Sequence, residues 1–257
     1  DKTASGLVEG FVPNKENPTG IVLGGTPYAL SGAVKDAFKN ESTYKENDFV
    51  TVYLGGGGEI EYAEFADIYD TDIYEDNNLS YDALLLKTLK GPEIVSGDAW
   101  KEKLGFDAST ASYYRNGKAV EETTVKNYDV LYYSSAFKTV WVYSDRVTGV
   151  LEKINPSNVA PSSVTVAGSD YAIETSACAI QFAGKGDFVV GDTVTLLLGK
   201  SGIVAAVSPD KVSSTVFGLS ADVSKKEYTV DGKTYSDTFV TVSSFDGGTY
   251  SVRTDKS

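Results

Sequence analysis

One stretch of the chain occurs twice, and that duplication limits the fold more than any other feature. Pro13 and Pro156 are 143 positions apart, and so are Pro18 and Pro161, Gly25 and Gly168, and Tyr28 and Tyr171. After one extra residue the spacing becomes 144, which pairs Asp48 with Asp192, Leu54 with Leu198 and Gly58 with Gly202. A fixed period of this kind speaks of architecture before chemistry. Two copies follow, over residues 5–65 and 148–208, with residues 66–147 between them and a partial unit over 209–257.

Within each copy the apolar residues alternate in short runs separated by turn residues. In the first, Ile21-Val22-Leu23 turns at Gly24-Gly25 into Tyr28-Ala29-Leu30, a hairpin signal. Ala33, Val34, Ala37 and Phe38 suit a turn or two of helix. A strand over Asp48–Leu54 then turns at Gly55–Gly58. That glycine run is not a phosphate loop: an acidic strand follows it, where such a loop needs Lys-Ser/Thr and a helix. Five short strands per copy close most simply into a small barrel, which removes exposed edges. By alternation, the second copy's inward residues are Val164, Val166, Tyr171, Ile173, Val194, Leu196, Leu198, Val204 and Val207.

Between the copies the pattern predicts a helix over Leu79–Lys90, stopped by Gly91-Pro92. It also predicts a hairpin with Asn116-Gly117 at its tip, and strong strands over Tyr128–Tyr133 and Thr139–Tyr143. Beyond the second copy, strand text resumes at Lys226–Val230, Thr238–Val242 and Thr249–Val252, with Asp231-Gly232 as a tip. The expected fold is mostly β: tandem small barrel-like β modules with short helical insertions.

Composition removes several functions. The net charge of −13 argues against nucleic acid and against anionic membrane surfaces. No apolar run approaches the roughly 18 residues of a membrane span, so direct membrane insertion is not expected. The chain has no His, hence no Ser-His or Cys-His dyad and none of the commonest transition-metal ligand. Its single Cys, Cys178, lies between two alanines and reads as a buried small hydrophobe. There is also no Met, which suggests a mature product or an excised fragment.

Three stretches carry a family resemblance: V-G-D-T-V-T-L-L-L-G-K-S-G-I-V-A-A-V (Val190–Val207), Y-R-N-G-K (Tyr114–Lys118), and Y-D-V-L-Y-Y with V-W-V-Y-S-D-R-V-T-G within Tyr128–Gly149. They resemble the repetitive β-rich region of large secreted bacterial proteins of gut Clostridia and related Firmicutes that carry S-layer homology domains. The resemblance implies an extracellular location at the bacterial cell wall or S-layer surface. It implies anchoring through domains elsewhere in the polypeptide. It implies no activity.

Two sets of residues are candidates for binding. Asp70, Asp72, Glu75 and Asp76, beside Asp67, offer hard oxygen ligands suited to calcium, though the run departs from an EF-hand loop at its fifth and sixth positions. The other reading is a solvated acidic linker between modules, with no cofactor. Tyr132, Tyr133, Trp141 and Tyr143 are the aromatics that could stack on cell-wall or host glycans if their faces are open; cross-strand packing is the alternative. No catalytic set is apparent. The expected role is therefore a non-catalytic structural or adhesive stalk, a semi-rigid spacer whose partners are other domains of the same polypeptide. An extracellular carbohydrate- or host-protein-binding module is the alternative.

Overall fold

A computed structural model describes residues 2–39, 43–69, 79–208, 218–230, 232–244 and 249–254. Half of the described residues are in strands and 14% in helices, so the protein is mostly β. It divides into two compact units, Asp1–Asn127 with Leu131–Tyr143, and Tyr128–Val130 with Ser144–Ser257.

The first unit begins with β1 (Lys2–Val12), β2 (Gly20–Leu23), β3 (Thr26–Ala29), α1 (Lys35–Phe38), β4 (Phe49–Leu54) and β5 (Ile60–Phe65), in the sheet order β3-β2-β1-β4-β5. β1 is long enough to serve two partners. Its first half pairs with β4 and its second half with β2, and a bulge between Val8 and Gly10 leaves Glu9 out of register. Such a bulge bends a strand and raises its twist. The outer strands then meet at a single parallel bridge, Leu30 with Ile60, so the sheet curls. Ile21, Leu23, Phe38, Val50 and Ile60 fill the interior.

After it come α2 (Tyr81–Thr88), β6 (Leu89–Ile94), α3 (Trp100–Lys103), β7 (Ser112–Arg115), β8 (Lys118–Val120), β9 (Val130–Ser134) and β10 (Thr139–Tyr143), in the order β6-β9-β10-β7-β8. The Ser80 hydroxyl caps α2 by accepting from Ala83 N–H. Gly91-Pro92 does not end that helix. The chain leaves α2 at Thr88, passes straight into β6 and carries both residues inside it. β6 is an edge strand, where a proline's missing N–H breaks no ladder. The Asn116-Gly117 tip is as expected: both residues have positive φ, at 52° and 75°, the geometry of a two-residue hairpin turn.

A chain of aromatic rings runs through this unit. Phe38, Tyr44, Phe65, Tyr81, Phe137, Phe49 and Trp141 follow one another at centroid distances of 4.8, 5.1, 4.6, 5.2, 5.9 and 5.0 Å. It joins the β1–β5 core to the β6–β10 sheet. The Tyr81 hydroxyl donates to the Phe49 carbonyl at 2.6 Å along the same seam.

The second unit contains β11 (Arg146–Asn155), β12 (Ser163–Val166), β13 (Ser169–Ala172), α4 (Ser176–Phe182), β14 (Thr193–Leu198) and β15 (Val204–Ser208). β11 pairs with β14 through its first half and with β12 through its second, and its bulge isolates Glu152. Ile173 and Val204 make the outer bridge. All nine expected inward residues belong to one core, seven of them buried and Tyr171 and Ile173 packed against it. Each fully buried aliphatic side chain among them contributes roughly 1.5–3 kcal/mol. Cys178 lies in the same core.

Many main-chain bonds of the β11–β15 set have counterparts in the β1–β5 set. Val8 N–H donates to the Asp48 carbonyl at 2.9 Å, and Leu151 to Asp192 at 2.8 Å. Leu30 donates to Thr19 and Ile173 to Ser162, both at 2.9 Å; Tyr44 donates to Ala37 and Phe188 to Gln181, both at 3.0 Å.

Beyond residue 208 the described residues form three further strands. β16 (Gly218–Val230) and β17 (Lys233–Ser244) make a long antiparallel ribbon. β18 (Thr249–Arg253) pairs with β17 and, in parallel, with β11. Phe239 of the ribbon is 1% exposed within the β11–β15 core. This tail therefore completes the second unit's sheet. The strands were legible by alternation, but their pairing with β11 was not.

Candidate functional site

The four aromatics singled out for glycan stacking are not available for it. Tyr132, Tyr133, Trp141 and Tyr143 are 3%, 7%, 1% and 4% exposed. They lie in β9 and β10, where every residue is buried because the sheet is covered on both faces. The Tyr132 and Tyr143 rings meet edge to face, Trp141 packs on Phe49, and the Tyr143 hydroxyl donates to the Glu9 carboxylate. A sugar ring needs an open aromatic face, and packing has used these. The acidic residues Asp70, Asp72, Glu75 and Asp76 lie outside the described residues. Among the described residues no group of three or more His, Cys, Asp or Glu could hold a metal ion, and no helix is long and apolar enough to cross a membrane.

The structure instead shows a polar cleft in the second unit, of about 500 Å³. β11 supplies Glu152, Lys153 and Asn155. Thr165 comes from β12, Gly168 from the turn after it and Asp170 from β13. Glu227 and Thr229 of the β16 ribbon complete the lining. Glu152 is there because it is the bulged residue of β11. The extra residue leaves the ladder and its side chain turns away from the regular alternation.

Glu152 is 7% exposed, and its Oε1 accepts the Gly168 N–H at 2.7 Å. Burial pushes its carboxyl above the ordinary glutamate value, and the Asp170 charge adds to that. The Gly168 hydrogen bond and the Lys153 and Lys226 charges pull the other way. Along one wall, Asn155 Nδ2 donates to Thr165 Oγ1 at 3.5 Å, and Thr165 Oγ1 donates to Asp170 Oδ1 at 2.5 Å. The neighbouring Lys226 ammonium is partnered beside the Gly168 turn. It donates to the Ala167 carbonyl at 2.6 Å and sits 5.5 Å from the Phe239 ring centroid. Asn155 and Thr165 thus each direct one hydrogen to a neighbouring wall oxygen, and among the described lining residues carboxylates outnumber ammonium groups.

A second buried polar group lies at the start of β11. Asp129 and Arg146 approach to 3.7 Å at 1% and 9% side-chain exposure. Ser144 Oγ donates to Asp129 Oδ1 at 3.0 Å, and the Arg146 guanidinium lies 5.3 Å from the Tyr250 ring centroid. This pair, with its hydrogen bonds and ring contact, ties β11 to the segment before it and to β18.

Sequence reasoning missed the Glu152 cleft. One signal was present: an acidic residue interrupts an apolar run in both copies, as Val8-Glu9-Gly10 and Leu151-Glu152-Lys153. Nothing in the sequence joins it to Glu227. Comparison of the chain with protein-family models, with curated proteins and with solved structures found no match.

Proposed function

We propose that the chain is a non-catalytic structural or adhesive stalk region of a bacterial cell-surface protein, a semi-rigid spacer built on two copies of one small barrel-like module. The observation that carries this reading is the recurrence of strand order, bulge, bridge and main-chain bonds in the β1–β5 and β11–β15 sets. Continuous packing inside each unit supports stiffness. In the first unit the aromatic seam joins the β1–β5 core to the β6–β10 sheet. In the second, the ribbon's Phe239 enters the module core. Such modules act by holding distance, and their partners are the neighbouring domains of the same polypeptide.

The second reading is an extracellular carbohydrate- or host-protein-binding module. The cleft favours its protein form, because among the described residues its lining contains carboxylates and hydroxyls and no aromatic ring on which a sugar could stack.

Single-molecule extension of the 257-residue chain from its ends tests the stalk. A load-bearing spacer gives two discrete unfolding steps, one for each compact unit. Smooth extension without such steps would overturn the reading.

A further inference from the structure

We propose that the cleft over Glu152 is a recognition site for an arginine side chain presented by another protein. The inference deepens the adhesive side of the stalk reading and rests on it.

The chemistry of the lining selects the guest. Among the described residues the lining holds three carboxylates from three different strands, Glu152, Asp170 and Glu227, against one ammonium, Lys153, with Lys226 nearby. The Asn155 amide and the Thr165 hydroxyl spend donors on the wall itself, ending on Asp170. A guest that brings donors and positive charge, and no acceptor, matches this surface. A guanidinium has five N–H groups in a planar fork and no acceptor, so it can serve more than one carboxylate at once. An ammonium is a point charge and serves them less well.

The first unit shows how this position is used when a neighbour is present. Glu9 is the bulge residue of β1 as Glu152 is of β11, and Glu9 accepts a hydrogen bond from the Tyr143 hydroxyl, which lies outside the β1–β5 set. A carboxylate on this bulge thus takes a donor delivered by a separate element. In the second unit, among the described residues, Glu152 has only the hydrogen bond from its own turn, Gly168 N–H. Glu152 is nevertheless 7% exposed as a residue and lines a cleft of about 500 Å³, room enough for a side chain and part of its backbone.

The experiment is calorimetric and NMR titration of the full chain with a capped Gly-Arg-Gly tripeptide. The same peptide carrying citrulline, a neutral relative of arginine, or lysine provides the comparison. Saturable binding of the arginine peptide is expected, with the citrulline and lysine peptides weaker by about tenfold or more. Glu152→Gln is expected to weaken arginine binding at least about tenfold while the chain still unfolds cooperatively. Glu227→Gln, at an exposed position, gives the same loss and keeps the test decisive if the buried substitution perturbs folding. No saturable binding up to roughly 10 mM overturns the proposal. So does equal binding of the citrulline or lysine peptide, or wild-type affinity in Glu227→Gln. Any of these leaves the two-step extension of the stalk untouched, so the two readings fail separately.

Discussion

The Phe49 ring meets the Trp141 indole edge to face, with centroids 5.0 Å apart and planes at 83°. Phe49 is 3% exposed at the start of β4 and also touches Tyr114 and Phe137. It is the ring through which the β1–β5 core and the β6–β10 sheet hold each other. Phe49→Ala is therefore expected to cost about 3–5 kcal/mol, as a large core truncation does. Phe65→Ala, at a ring 37% exposed on the same seam, is expected to cost clearly less. Urea unfolding followed by tryptophan fluorescence ranks the two.

Equivalent turns respond in opposite ways to a methyl group. Gly24 and Ala167 both adopt left-handed backbone, with φ of 55° and 53°. A Cβ on Gly24 would lie 2.6 Å from the Gly117 nitrogen, because the Asn116-Gly117 hairpin tip packs against that turn. Gly24→Ala is thus expected to destabilise by at least about 2 kcal/mol, combining the backbone penalty with a main-chain clash. Ala167→Gly relieves the same penalty and loses one buried methyl, so it should fall within about 1 kcal/mol of wild type. Thermal unfolding of the two variants separates the cases.

Asp48 sets a pH dependence. It is 2% exposed, and burial raises its carboxyl above the ordinary 3.8, against the lowering effect of the Lys45 N–H bond to Oδ2 at 2.8 Å. A carboxyl raised on folding favours the folded state while protonated. Its contribution is complete below the unfolded value and is lost as pH rises through the folded one. Asn keeps an oxygen acceptor for Lys45 N–H and carries no charge. Asp48→Asn is expected to raise the thermal midpoint at pH 7, and the gain should vanish below about pH 3.5. A gain that persists in acid would count against this account.

Cys178 should report opening of the second unit's core. It is 2% exposed, and burial, with the Glu174 charge, pushes its thiol up to about 12. Alkylation at pH 8 is expected to be negligible in the native protein and complete in denaturant. Rapid labelling of the native chain would show that this core opens without global unfolding.

Much of the second unit's interior was legible because a strand with one buried face repeats every two residues. Val164, Val166, Val194, Leu196 and Leu198 follow that period, and all five are buried in one core. The same rule misleads in β9 and β10. Tyr132 and Tyr133 are adjacent and point to opposite faces, so alternation suggests that one of them is exposed. Both are buried, because a second layer covers the other face.

The sequence by itself determined the local plan: mostly β structure, the turns at Gly24-Gly25 and Asn116-Gly117, the alternating core of β11–β15, and the buried Cys178. These follow from backbone freedom and side-chain period, which act over a few residues. Only the tertiary structure decided which edges meet. The pairing of β18 with β11, the aromatic seam and the convergence of Glu152, Asp170 and Glu227 join residues far apart in the chain. Each depends on strand bending and on what covers the second face of a sheet, and neither leaves a periodic trace in the sequence.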